Sequence, residues 1–109
     1  MIIKSQKPIV LLNTCSATYN SAALKNAIMW YADRPVYHVK KVFMHGRYPA
    51  VAIFNTKIHI HRLLMMFFAD KIFPRNLHVH HKNGDPLDAS IKNLEIISAG
   101  EHISIHQTG

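Results

Sequence analysis

The segment HRLLMMFFADKIFP, His61 to Pro74, reads as a helix of about three turns, ended by its proline and apolar round its middle. A helix without a polar face has to be covered on several sides, and a chain of 109 residues has material for one such core. The rest of the chain must therefore wrap this segment. Any of Met65, Met66, Phe67 and Phe68 left bare would form the surface of a homodimer.

The flanking patterns say what does the wrapping. From Tyr37 to Ile60 the spacing of Val39, Val42, Phe43, Val51, Ile53, Ile58 and Ile60 is that of two or three antiparallel strands, with turns at Gly46 and at Asn55–Thr56. By the period of two, His59 and His61 share one face of the last strand. Upstream, PIVLL at residues 8–12 predicts a short strand. Asn20 or Ser21 then caps a helix whose stripe is Leu24, Ala27, Ile28 and Tyr31, stopped by Pro35, with Lys25, Asn26, Trp30 and Arg34 off the stripe. The expected fold class is α+β, a small antiparallel sheet with helices. Residues 1–36 form an N-terminal extension with one helix, and residues 37–109 the main domain.

Charge narrows the partners. Thirteen Lys plus Arg against six Asp plus Glu give +7 with the nine histidines neutral, a balance suited to a polyanion. The longest apolar run, Leu63 to Ala69, is far short of the roughly 18 residues that span a bilayer. No membrane partner is expected, and the expected location is the cytoplasm. Cys15 is the only cysteine, so a disulfide framework is excluded and any metal has to be held by nitrogen and oxygen.

The last quarter of the chain, VHHKNGDPLDASIKNLEIISAGEHISIHQ, concentrates the chemistry. Leu77 to His81 predicts a strand with His78 and His80 on one side and Val79 and His81 on the other. KNGDP supplies a turn, NLEIIS a second strand, and Ser98 with Glu101 a capping box opening a helix at Ala99. In that helix His102 and His106 stand four apart, the spacing at which two imidazoles meet one metal ion. If the hairpin folds against the helix, His80 completes a three-nitrogen site. His81, on the opposite strand face, is then free to take a proton from water near neutral pH.

These residues carry a resemblance. His80 and His81, Asn93 and the pair His102 and His106 resemble the His-Asn-His (HNH) nuclease motif of the ββα-metal (His-Me finger) fold, shared by phage and intron-encoded homing endonucleases and colicin DNases. HRLLMMFFADKIFPRNLHVHHKNGD is similar to the His-Arg-Leu, aromatic-rich helix that leads into the motif in the phage and intron-encoded group. The resemblance covers about residues 37–107, with the ββα-metal motif at 77–107, and a phage or mobile-element origin would suit it. It implies a metal-dependent DNA endonuclease with His81 as general base and Asn93 tying the loop between the strands. His80, His102 and His106 would hold one divalent ion at the scissile phosphate, leaving a 5′-phosphate product.

Histidine at 80 and 102, where the homing group has carboxylate or asparagine, suits Zn²⁺ or Ni²⁺ better than Mg²⁺, and the divalent ions to test are Zn²⁺, Ni²⁺, Mg²⁺ and Mn²⁺. Lys82, Asn83, Arg62 and Arg75 are the candidate phosphate contacts on double-stranded DNA. One site cuts one strand per encounter, so a monomer nicks and a dimer cuts both strands. The alternative is a non-catalytic DNA-binding protein in which His78, His80, His102 and His106 close a structural zinc site.

Overall fold

In a computed structural model, residues 10–34 and 36–98 are described. The chain runs β1 (Leu12–Asn13), α1 (Ser21–Ala32), β2 (Lys41–His45), β3 (Tyr48–Ile53), β4 (Thr56–His59), α2 (Ile60–Ala69) and β5 (Leu77–His81). A 3-10 turn (Ile91–Asn93) and β6 (Leu94–Ser98) follow. This is the small α+β arrangement that the patterning predicts. The helix expected from Ala99, with its capping box, lies outside the described residues.

Two sheets form. One has the order β1-β2-β3-β4, antiparallel except for β1, which lies parallel to β2; β5 and β6 make a separate antiparallel pair. β1 overlaps the expected PIVLL strand at Leu12, and residues 8 and 9 of that segment lie outside the described residues; beyond β1, Ser16 turns the chain in the left-handed region (φ 59°), and Asn13 closes that turn by bonding both backbone groups of Ala17. The β3–β4 turn falls one residue earlier than expected. Phe54 (φ 48°) and Asn55 (φ 67°) are its two central residues, the left-handed pair that a tight hairpin needs. Phenylalanine resists that conformation, and its surroundings hold it there: His38 Nε2 accepts the Phe54 N–H at 3.0 Å and the Arg34 guanidinium lies over the ring.

The helices meet the sheet through one core. Asn20 caps α1 by accepting the Ala23 N–H at 2.9 Å, and Leu24, Ala27 and Ile28 are fully buried against α2. Trp30, off the stripe, reaches across instead of facing water: its Nε1–H donates to Asp70 at 2.9 Å and its ring meets Phe67 edge-on. α2 starts directly after β4, at Ile60, so His61 belongs to the helix, as the reading of His61 to Pro74 has it, and not to the last strand, where the alternation also put it. It also stops before Pro74. Asp70 takes the left-handed conformation (φ 56°), and the N–H groups of Asp70 and Lys71 return to Phe67 and Met66, a closure that ends the helix without glycine.

Ile60, Leu63, Leu64 and Met66 are buried, and Val79 and Leu94 of the β5–β6 hairpin join the same cluster. Phe68 stays 56% exposed, so α2 is covered on all but one side. No helix among the described residues is long and apolar enough to cross a membrane.

Candidate active site

Strand alternation on β5 places its histidines. Val79 and His81 turn inward and are buried, while His78 and His80 occupy the other face half-buried. Opposite them on β6, Leu94 pairs with His81 and Glu95 with His80. His80 Nδ1 lies 3.0 Å from Glu95 Oε2. An ionised carboxylate only accepts, so the proton of the neutral imidazole sits on Nδ1 and the lone pair on Nε2. A carboxylate-backed imidazole of this kind is the arrangement that orients a metal-binding histidine, and to that extent the residues fit the ion the motif implies. Glu95 is the partner that sequence reading missed, since only the strand register reveals it. His102 and His106 lie outside the described residues, and among the described ones no group of three or more His, Cys, Asp or Glu side chains is placed to hold a metal.

The loop from Lys82 to Ile91 is closed by side chains onto backbone. Asn93, buried, is its hub. Its Oδ1 accepts the Asn83 N–H at 3.0 Å, and its Nδ2 donates to Asn83 Oδ1 at 3.0 Å and to the Asp88 carbonyl at 2.9 Å. Asn83 also accepts the Asp85 N–H and donates to Asp88, so its side chain is spent within the loop. Asp88 accepts from both the Ser90 hydroxyl and N–H, and these bonds hold its carboxyl below the usual aspartate range. Thr18, from the N-terminal segment, bonds Leu87 and Ala89 through its backbone at 2.7 and 2.8 Å. Those bonds join the beginning of the chain to the site loop, and no local pattern around Thr18 announces them.

Of the four basic or amide groups expected to face phosphate, Lys82 and Arg75 are exposed. Arg62 turns inward: its guanidinium donates to the carbonyls of Leu77 (2.6 Å), Pro74 (2.7 Å) and Phe73 (3.2 Å), tying α2 to the start of β5. Those bonds use three of its five N–H donors.

A cavity of about 350 Å³ opens at His80 and His81, with Tyr48, Arg47 and Gly84 in its walls. Tyr48 comes from the β2–β3 hairpin, and its ring lies parallel to His81 (8°, centroids 5.5 Å apart). His61 packs 4.5 Å from His81 and 4.8 Å from Tyr48, with His59 stacked on His61 at 5.6 Å. Sequence reading noted His61 as the head of the His-Arg-Leu element and as sharing a face with His59, and missed Tyr48 and Arg47. Their convergence depends on how the hairpin and the helix end fold over β5.

Burial dominates the electrostatics of this ring cluster. It pushes the His61 imidazole down to about 3, with His81, His59 and Arg62 adding repulsion of the charged form. Burial also pushes His81 below the ordinary histidine value, with nearby His80 acting in the same direction and Asp85 and Asp88 opposing. Near neutral pH both rings are neutral, the state in which a histidine can accept a proton. A stability consequence follows from the sign. A depressed folded-state value means that unfolding takes up protons, so this contribution is fully present above the unfolded value near 6.5 and is lost as pH falls toward 3. Between pH 6.5 and 5 the loss is about 2 kcal/mol for one such group. Thermal melts across this range should show it, with a shallower slope for His61→Asn; parallel slopes for the two proteins would dismiss His61 as the source.

A model of the HNH endonuclease family matches residues 59–103, from the end of β4 through His61, His80, His81 and Asn93 to Ile103. No curated protein and no solved structure matches the chain. The family model thus matches over the segment that holds His80, His81, Asn93 and His102, while His106 lies beyond it.

Proposed function

We propose that this protein is a metal-dependent DNA endonuclease that hydrolyses a phosphodiester bond with His81 as the general base. The observation that carries the reading is the setting of His81: a buried imidazole kept neutral by its surroundings, at the wall of a cavity, next in sequence to a carboxylate-backed histidine. The family match over residues 59–103 supplies the substrate class.

In this reading His80 would hold one divalent ion together with His102 and His106. When bound, such an ion stabilises charge on the scissile phosphate and on the departing oxygen. His81 takes the proton of the attacking water. Glu95 fixes the His80 ring, and Asn93 keeps the loop after β5 closed so that the base strand keeps its position. Lys82 and Arg75, and Arg47 at the cavity wall, contact the phosphate backbone, consistent with the net charge of +7. Residues 37–109 form the nuclease unit, and residues 1–36 buttress it through α1 and Thr18.

The test is conversion of supercoiled plasmid in the presence of Mg²⁺, Mn²⁺, Ni²⁺ or Zn²⁺, with a chelator as control. Nicked circles, abolished by the chelator, are the expected product. DNA binding without cleavage under every ion would replace this reading with a structural zinc protein.

A further inference from the structure

A second cavity, of about 400 Å³, lies between β4, α2 and the segment that leads into β5. Three cations stand in its wall, Lys57, Arg62 and Arg75, and no Asp or Glu does. None of the three is paired with a carboxylate among the described residues. Like charges around one hollow repel each other, and an anion placed between them removes that cost. Lys57 and Arg75 are exposed, and Arg62, although it ties α2 to β5, keeps two N–H donors. Most of the remaining wall is apolar, with Tyr31 half-buried and Ile72 62% exposed. A cationic rim beside an apolar floor suits an anionic group joined to a carbon framework better than a bare anion.

Position relates this cavity to the one at His81. His59 lines the second cavity and Tyr48 the first, and their ring centroids are 5.2 Å apart. Arg75 stands five residues before His80, a span of at most about 18 Å, which is about five rises of one strand of B-DNA. We propose that the second cavity is a backbone subsite for the DNA that is cut: Lys57, Arg62 and Arg75 hold a phosphate a few nucleotides from the scissile one, and Tyr31 and Ile72 meet its deoxyribose. The subsite supplies binding and no chemistry, since the two cavities share no lining residue.

The inference rests on the nuclease reading for which phosphate is scissile, but not for its main test. Fluorescence anisotropy of a labelled duplex, with the full chain and a chelator present to stop cleavage, gives the affinity between about 50 and 200 mM salt. Lys57→Gln/Arg75→Gln should bind about 10-fold more weakly than wild type, with a dependence of log affinity on log salt shallower by about 1, the signature of one lost phosphate contact. Both side chains are exposed, so the fold is kept. Lys40→Gln/Lys41→Gln removes the same charge at exposed positions outside both cavities and should leave the slope unchanged. Equal changes from the two pairs would mean that net charge alone acts, and they overturn the subsite, as does an unchanged slope in Lys57→Gln/Arg75→Gln. Ile72→Glu, which sets a carboxylate on the floor, should also weaken binding; full affinity in that variant overturns the deoxyribose contact. In the plasmid assay Lys57→Gln/Arg75→Gln should raise KM about 10-fold with kcat little changed, and a fall in kcat at constant KM overturns the purely binding role. Absence of cleavage by wild type with every ion overturns the nuclease reading, and the anisotropy series still decides the subsite.

Discussion

Replacing His81 with alanine is expected to lower the metal-dependent cleavage rate by about 10²–10⁴-fold, the usual contribution of a positioned general base. Binding to DNA should change little. The imidazole is largely buried in the cavity wall, and its neutral state adds nothing to the attraction of a polyanion. The loss should therefore appear in kcat. The fold should survive: the substitution leaves space beneath Tyr48, but it also removes a ring nitrogen that has no hydrogen-bond partner among the described residues. Equal plasmid nicking by His81→Ala and wild type would remove His81 from the reaction, and with it the division of labour between the two adjacent histidines.

The second large effect is on stability. Asn93→Ala deletes three hydrogen bonds at one buried side chain and leaves the Asn83 N–H and the Asp88 carbonyl to find other partners. Each such bond is worth about 0.5–1.5 kcal/mol net, and an unsatisfied buried group adds to the cost, so a loss of about 2–4 kcal/mol is expected. For a domain of this size that is a fall in Tm of roughly 10–20 °C. The backbone bond from Lys82 N–H to the Asn93 carbonyl persists, so the hairpin should remain while the loop opens. Thermal denaturation followed by circular dichroism checks this, and a Tm within a few degrees of wild type would show that the loop closes without the Asn93 side chain. Cleavage by the variant below its Tm should also fall, because the loop begins at the residue after His81.

The two substitutions act on features that differ in how they are encoded. The separation of His80 from His81 is a local fact. Neighbouring residues of a strand point to opposite faces, so LHVHH assigns the two side chains to different surroundings wherever the strand packs. The cap at Asn20, the stripe of α1 and the strand pattern from Lys41 to His59 are equally local, and they are found close to where periodicity puts them. Helix α2 shows the limit of such reasoning. Pro74 is a visible stop signal, yet the chain leaves the helix at Asp70, where a left-handed residue and two returning N–H bonds do what glycine usually does. Arg62 shows another limit. Its charge and nearness to the motif suggest phosphate, but three carbonyls of the α2–β5 connection present themselves to its guanidinium once that connection folds back.

The sequence by itself determined which side chains alternate, which segments turn and cap, and that His80, His81 and Asn93 stand in the order of a known nuclease motif. Those properties depend on spacing over a few residues. What only the tertiary structure decided is what surrounds them: Tyr48 parallel to His81, His61 beside it, Glu95 behind His80, and Thr18 pinning the loop at Leu87 and Ala89. Each of those contacts joins residues more than ten positions apart. They follow from burial of one shared core, which brings the hairpin, the helix start and the N-terminal segment to a single face of β5, and no local spacing encodes that choice.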